Sequence, residues 1–350
     1  MVKTRDPDRW EAFPDEHMAK QVMTDIKVNL TYGFHPLFDW RPFPSQRLAT
    51  LQIDQFGLRT NPLKAGRPVV LFLGGSFAWG YGAASNDSTP WALLERRLEL
   101  AGLDVSVFNL SDQNYTSWQE IKAFCSAVID LPIVAVVSVS GFNDISNAVR
   151  GLFKLHNRYR DIVRFFQWGV MNGLVKQPSP LRLLKRMALG RLRPPPASGD
   201  VEVAWVEAPE PEERPLQVYG HKVDIVGGYC RQRGIPMIWV LQPSAFSKNP
   251  KSRTETAILD EMRIERADFY RRQFELFKAQ FKIWADESCS TEHFIDATSA
   301  FDNVAQTIFF DSAHVSDAGY ALFVDHVFDE IKAVIEDALA AKTQPVGCGA

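Results

Sequence analysis

Cysteine is scarce and unpatterned in this chain. The four that occur, Cys125, Cys230, Cys289 and Cys348, show no Cys-x-x-Cys spacing, which argues against a thiolate metal cage or a disulfide framework. They read as ordinary reduced thiols, and His293 beside Cys289 lacks the further ligands a metal site would need. An excess of charge of either sign is also missing: the formal net charge is -3, so the chain carries no basic footprint for a nucleic-acid partner. No apolar run reaches the roughly 20 residues of a membrane-spanning helix. The opening segment MVKTRDPDRWEAFPDEH has no apolar stretch of the kind that directs secretion. The expectation is a soluble, cytoplasmic protein with no membrane span and no metal.

What is present in quantity is apolar residue, 46% of 350, enough for a large core. Short apolar runs at Val69 to Leu73, Val105 to Leu110, Ile133 to Val139, Met237 to Leu241 and Phe294 to Ala297 read as buried strands. Between them lie stretches with helical spacing, such as WALLERRLEL and SWQEIKAFCSAVID. Alternation of this kind predicts an α/β fold, a flavodoxin-like three-layer sandwich around a mostly five-stranded parallel sheet. Residues 1–66 carry Trp10, Phe13, Tyr32, Phe34, Phe38, Trp40 and Phe43 with little periodicity. They are expected to wrap the main domain and bury their rings, a platform for a sugar or acyl chain being the alternative.

The expected domain spans 67–340, with a helical insertion at 146–215 and a tail at 341–350. The insertion is too long for an ordinary connection. It carries the basic cluster Arg182, Lys185, Arg186, Arg191 and Arg193. A solvated face is the simpler account, and contact with an acidic group is the alternative. The stretch from Arg253 to Phe281 reads as one long amphipathic helix packed on the sheet.

The chemistry-bearing residues stand at strand ends. Ser76 follows Val69 to Leu73 and two glycines, in GGSFAWGYG; Asn143 and Asp144 follow Ile133 to Val139; Asp311 and His314 form Asp-x-x-His near the C-terminus. A serine hydroxyl needs a base within hydrogen-bond reach, and among the seven histidines only His314 has a fitting context. Asp311 is spaced to orient its imidazole. The N–H groups of Ser76 and residue 114 and the side-chain amide of Asn143 are candidate donors to an oxyanion. Each feature has a plainer reading. Ser76 or Asn143 and Asp144 can simply cap helices, and His314 can be an ordinary loop histidine. Trp79, Tyr81, Trp91, Trp118 and Phe142 flank these segments; Trp79 and Phe142 are the expected substrate contacts, although some of the five must be core.

GGSFAWGYG, Gly141-Phe142-Asn143-Asp144 and Asp311-Ser312-Ala313-His314 together resemble the blocks of the SGNH or GDSL-type hydrolases, over roughly 67–144 and 234–335. Gly75 stands where better-known members carry aspartate. Where relatives read Asn-Leu-Gly-x-x-Gly-Tyr, this chain reads Asn109-Leu110-Ser111-Asp112-Gln113-Asn114-Tyr115, and the family's oxyanion glycine falls on Asn114. Asparagine tolerates a left-handed backbone, but its bulk and the nearby Asp112 set activity, more than fold, at issue. The segments FHPLFDW and IDQFGLRT look like the leader of bacterial members associated with surface polysaccharides.

The resemblance implies a serine esterase with Ser76 as nucleophile, His314 as base and Asp311 as its partner. It would need no cofactor and would act on an acylated carbohydrate or another small acyl ester. Transfer to a glycan hydroxyl, and a weakened enzyme that only binds ligand, are the alternatives. An α/β-hydrolase is disfavoured because Ala78 breaks Gly-x-Ser-x-Gly and the acid and histidine share one turn.

Overall fold

The computed structural model describes residues 7–35, 37–149 and 212–343. Most of the expected insertion, with its basic cluster, and most of the C-terminal tail lie outside the described residues.

A helix at Glu16–Thr24 is followed by a small antiparallel pair, β1 (Tyr32–His35) and β2 (Asp39–Pro42). The main sheet comprises β3 (Val69–Gly74), β4 (Ser106–Asn109), β5 (Ile133–Ser140), β6 (Met237–Leu241) and β7 (Glu292–Asp296). Their order is β4-β3-β5-β6-β7, all neighbours parallel. β3, β5 and β6 are buried along their whole length, which is why they read as continuous apolar runs: helices cover both faces. Helices Pro90–Leu100 and Asp317–Thr343 pack together on one side; Ser117–Ala127, Arg214–Lys222 and Ile264–Glu287 form the other layer. The strand order reverses about β3, so the crevice at its carboxyl end is where such a sheet offers a ligand site.

Three sequence expectations need correction. β7 begins at Glu292, and Ala297 already belongs to the turn that follows. The stretch from Arg253 to Phe281 is two helices, Arg253–Asp260 and Ile264–Glu287. Arg263 is extended, with ψ 136°, which lets the second helix lay Phe269, Tyr270, Phe274, Phe277 and Phe281 into the core independently of the first. Neither glycine nor proline marks the break. The N-terminal segment is more regular than expected: Ala19, Val22, Met23 and Ile26 are buried at helical spacing.

The early aromatics divide. Phe13 and Phe38 are buried, Trp10, Tyr32 and Trp40 pack partly against the core, and Phe43 is 43% exposed. Arg59 is fully buried; it donates to Asn86 Oδ1 and to the carbonyls of Gly80 and Ser85, and its guanidinium lies over Trp79 at 4.7 Å. Burial brings its pKa down to about 10, against the nearby charge of Asp317. It ties residues before β3 to the loop after Ser76. Among the described residues, no helix is long and apolar enough to cross a membrane.

Candidate active site

β3 ends at Gly74, and Ser76 opens a single helical turn, Ser76–Trp79. Residue 75 must be small: a Cβ there would stand 2.2 Å from Asn143 Nδ2 and 3.1 Å from the Tyr115 carbonyl oxygen. Three segments thus meet at one point, the end of β3, the loop after β4 and the start of helix Phe142–Val149.

Ser76 Oγ is 2.7 Å from His314 Nε2. The other ring nitrogen of His314, Nδ1, lies 2.7 Å from Asp311 Oδ2 and 3.0 Å from Oδ1. Asp311 Oδ1 also accepts the backbone N–H groups of Ala313 and His314, each at 2.8 Å, so the carboxylate is built into the turn that carries the histidine. Surrounding protein acts to raise the Asp311 pKa, but His314 and these hydrogen bonds outweigh it and hold the group below the usual carboxylate range. About 40% of the Asp311 side chain stays open to water. An ionised carboxylate against Nδ1 selects the tautomer with its proton there, which leaves the Nε2 lone pair facing Ser76.

The donors lie alongside. Asn143 Nδ2 donates to the Tyr115 carbonyl at 2.9 Å, which leaves its second N–H for a ligand. Asn114 has φ 59°, the left-handed conformation that glycine or asparagine accommodates. The N–H groups of Ser76 and Asn114 have no acceptor among the described residues.

Asp112 does not stand free. It is 3% exposed, and its Oδ1 accepts from the Tyr32 hydroxyl at 2.8 Å and the Gln113 N–H at 2.7 Å. Burial pushes it up to about 7, against those hydrogen bonds and the charge of Arg41. The β1–β2 pair further grips this loop through Trp40 Nε1, which donates to the Gln113 carbonyl at 2.9 Å.

Asp144 does not cap its own helix. It accepts from Ser117 N–H (3.1 Å) and Ser117 Oγ (2.8 Å), binding the start of the preceding helix, Ser117–Ala127, to the segment that follows β5. Beneath it Lys222, fully buried, donates to Glu120, Ser138 and Ser140. Burial raises Asp144 to about 7 and lowers Lys222.

The two expected substrate contacts are core side chains. Trp79 is 0% exposed, sealed by Arg59 and the N-terminal segment. Phe142, 7% exposed, stacks on Tyr270 at 5.3 Å. The rings that do flank His314 are Tyr81, at 4.3 Å between centroids, and Phe310, at 6.1 Å. In the sequence Phe310 reads only as part of the apolar run before Asp311. Among the described residues, no group of three or more His, Cys, Asp or Glu side chains is placed to hold a metal ion.

No family model and no curated protein matches the sequence. Among solved structures, the chain is similar to a protein described as a GDSL-like lipase from Bacteroides ovatus, at 13% identity and a TM-score of 0.38, over 79% of this chain and 55% of that one. A GDSL-like lipase from Bacteroides thetaiotaomicron matches at 14% identity and a TM-score of 0.38, over 78% and 88% of the respective chains. A family two carbohydrate esterase from Clostridium thermocellum, solved with cellohexaose, matches at 10% identity and a TM-score of 0.41, over 79% and 66%. The chain therefore spans less than two thirds of the first and the last of these. At such scores the likenesses carry no weight for activity.

Proposed function

We propose that the chain is a serine-dependent acyl ester hydrolase of the SGNH type, acting through Ser76, His314 and Asp311. The observation that supports this reading is the continuous line from Ser76 Oγ to His314 Nε2 and from His314 Nδ1 to Asp311 Oδ2, each contact 2.7 Å. It stands at the carboxyl end of β3, the strand about which the sheet order reverses.

In this mechanism Ser76 Oγ attacks the ester carbonyl carbon while its proton passes to His314 Nε2, and the carbonyl electron pair moves onto oxygen. The N–H groups of Ser76 and Asn114 and the free N–H of Asn143 receive that oxyanion. Collapse of the intermediate breaks the bond to the alcohol oxygen, which takes the proton from His314. Water then repeats the sequence on the acyl-serine, releasing the acid. Asp311 stays ionised throughout and supports the imidazolium. The leading substrate class is an acylated carbohydrate, on the sequence resemblance, and a small ester is second. Residues 1–66 serve in this reading as a wrap for the domain at 67–340.

The test is hydrolysis of p-nitrophenyl acetate by the full chain beside Ser76→Ala and His314→Ala. Each variant is expected to lose about 10⁴-fold or more in kcat. Equal rates for wild type and Ser76→Ala would reject the proposal.

A further inference from the structure

The segment Gly80-Tyr81-Gly82 follows the Ser76 turn, and none of its three residues takes part in the mechanism above. Both glycines have left-handed backbone, φ 90° and φ 111°. A Cβ on Gly82 would meet the Val315 carbonyl oxygen at 2.4 Å and the Phe310 ring at 2.6 Å, so only glycine lets this loop close onto the His314 segment. Tyr81 is held between them. Its N–H donates to the Ser76 carbonyl at 2.9 Å, and its own carbonyl accepts the Tyr320 hydroxyl at 3.0 Å. The result is an aromatic ring laid against the imidazole, centroids 4.3 Å apart and planes 33° apart. Phe310 lies beside both rings, 6.4 Å from Tyr81 and 6.1 Å from His314.

We propose that Tyr81 is a positioning residue for the reaction, its ring face stabilising the positive charge that His314 acquires when Ser76 gives up its proton. This rests on the mechanism proposed above. A cation within about 6 Å of an aromatic face is attracted by the ring's quadrupole. Imidazole is neutral before attack and charged after it, so the attraction grows along the reaction coordinate and lowers the barrier. The ring acts as a neutral phenol. Burial and the negative charge of Asp311 push its ionisation well above that of an ordinary tyrosine, which also removes it as a rival base.

The experiment uses the full chain with ¹³C-labelled histidine, the His314 ring resonance being assigned from His314→Ala. Its pH midpoint is compared among wild type, Tyr81→Phe, Tyr81→Leu and Tyr81→Met. The ring-free variants are expected to move the midpoint down by about half to one pH unit, while Tyr81→Phe holds it near wild type. In parallel, kcat on p-nitrophenyl acetate is expected to fall about 3- to 10-fold in the ring-free variants with KM within twofold, and Tyr81→Phe is expected to recover most of the rate. An unmoved midpoint in both folded ring-free variants, or Tyr81→Phe behaving like them, would overturn the proposal. If Tyr81→Leu does not fold, Tyr81→Met and Tyr81→Phe decide. The resonance reads the interaction without turnover, so absence of esterase activity would count against the proposed function, whereas a static midpoint would count against Tyr81.

Discussion

Replacing Asp112 with asparagine should change how stability depends on pH, and the structure fixes the sign. The carboxyl is 3% exposed and sits near 7 in the folded chain, against an ordinary value of 3.8. Between those values the folded protein binds a proton that the unfolded chain has released. The contribution of Asp112 to stability is therefore fully present below pH 3.8 and is lost as pH rises through about 7. Linkage over that window amounts to about 4 kcal/mol in all, of which about 2 to 3 kcal/mol falls between pH 5 and pH 8. Both hydrogen bonds to the side chain end on Oδ1, so an asparagine carbonyl placed there keeps the Tyr32 and Gln113 donors while the ionisation disappears. Urea denaturation of wild type and Asp112→Asn at pH 5, 6, 7 and 8 reads the difference. The variant should gain on the wild type steadily as pH rises, by the 2 to 3 kcal/mol stated. Parallel stability curves across that range would refute the reasoning, since they would mean that Asp112 titrates alike in both states.

Two further outcomes follow from single contacts. Asn143→Ala removes a side-chain donor from the oxyanion position and should cut kcat about 10²- to 10³-fold, with KM little changed, in steady-state hydrolysis of p-nitrophenyl acetate. Glu255 is fully buried, paired with Lys248 at 2.5 Å, and accepts from Ile308 N–H (2.9 Å) and Phe309 N–H (3.0 Å) just before the Asp311 turn. Glu255→Ala should cost about 3 to 5 kcal/mol in chemical denaturation because the buried Lys248 loses its carboxylate partner and keeps only the Gln306 carbonyl; a loss under 1 kcal/mol would contradict that account.

The parts of the fold legible in the sequence are those whose cause is local. β3, β5 and β6 are buried on both faces, so their runs carry no alternation to confuse the reading. Ser76, Asn143 and the pair Asp311 and His314 were legible as segments because each stands at or beside a strand end or turn. Their meeting was not, since it depends on glycine at 75 and on the strand order. The left-handed backbone at residue 114 agrees with asparagine's tolerance of that conformation.

What stayed hidden was set by tertiary contact. The β1–β2 pair has strands of four residues each, too short to show a period. The break at Glu261 to Arg263 carries no helix-breaking residue. Trp79 reads as a substrate contact because it is large and near Ser76, whereas a buried arginine 20 positions upstream, invisible as such in the sequence, covers it.

The most direct measurement of the central claim is the reaction of the full chain with a fluorophosphonate, the modified peptide being located by mass spectrometry. The account predicts a single phosphonyl adduct on Ser76, absent in Ser76→Ala and slowed at least 10³-fold in His314→Ala, where the base that activates the hydroxyl is gone. Folded protein that stays unlabelled, or that is labelled equally well without His314, would contradict it.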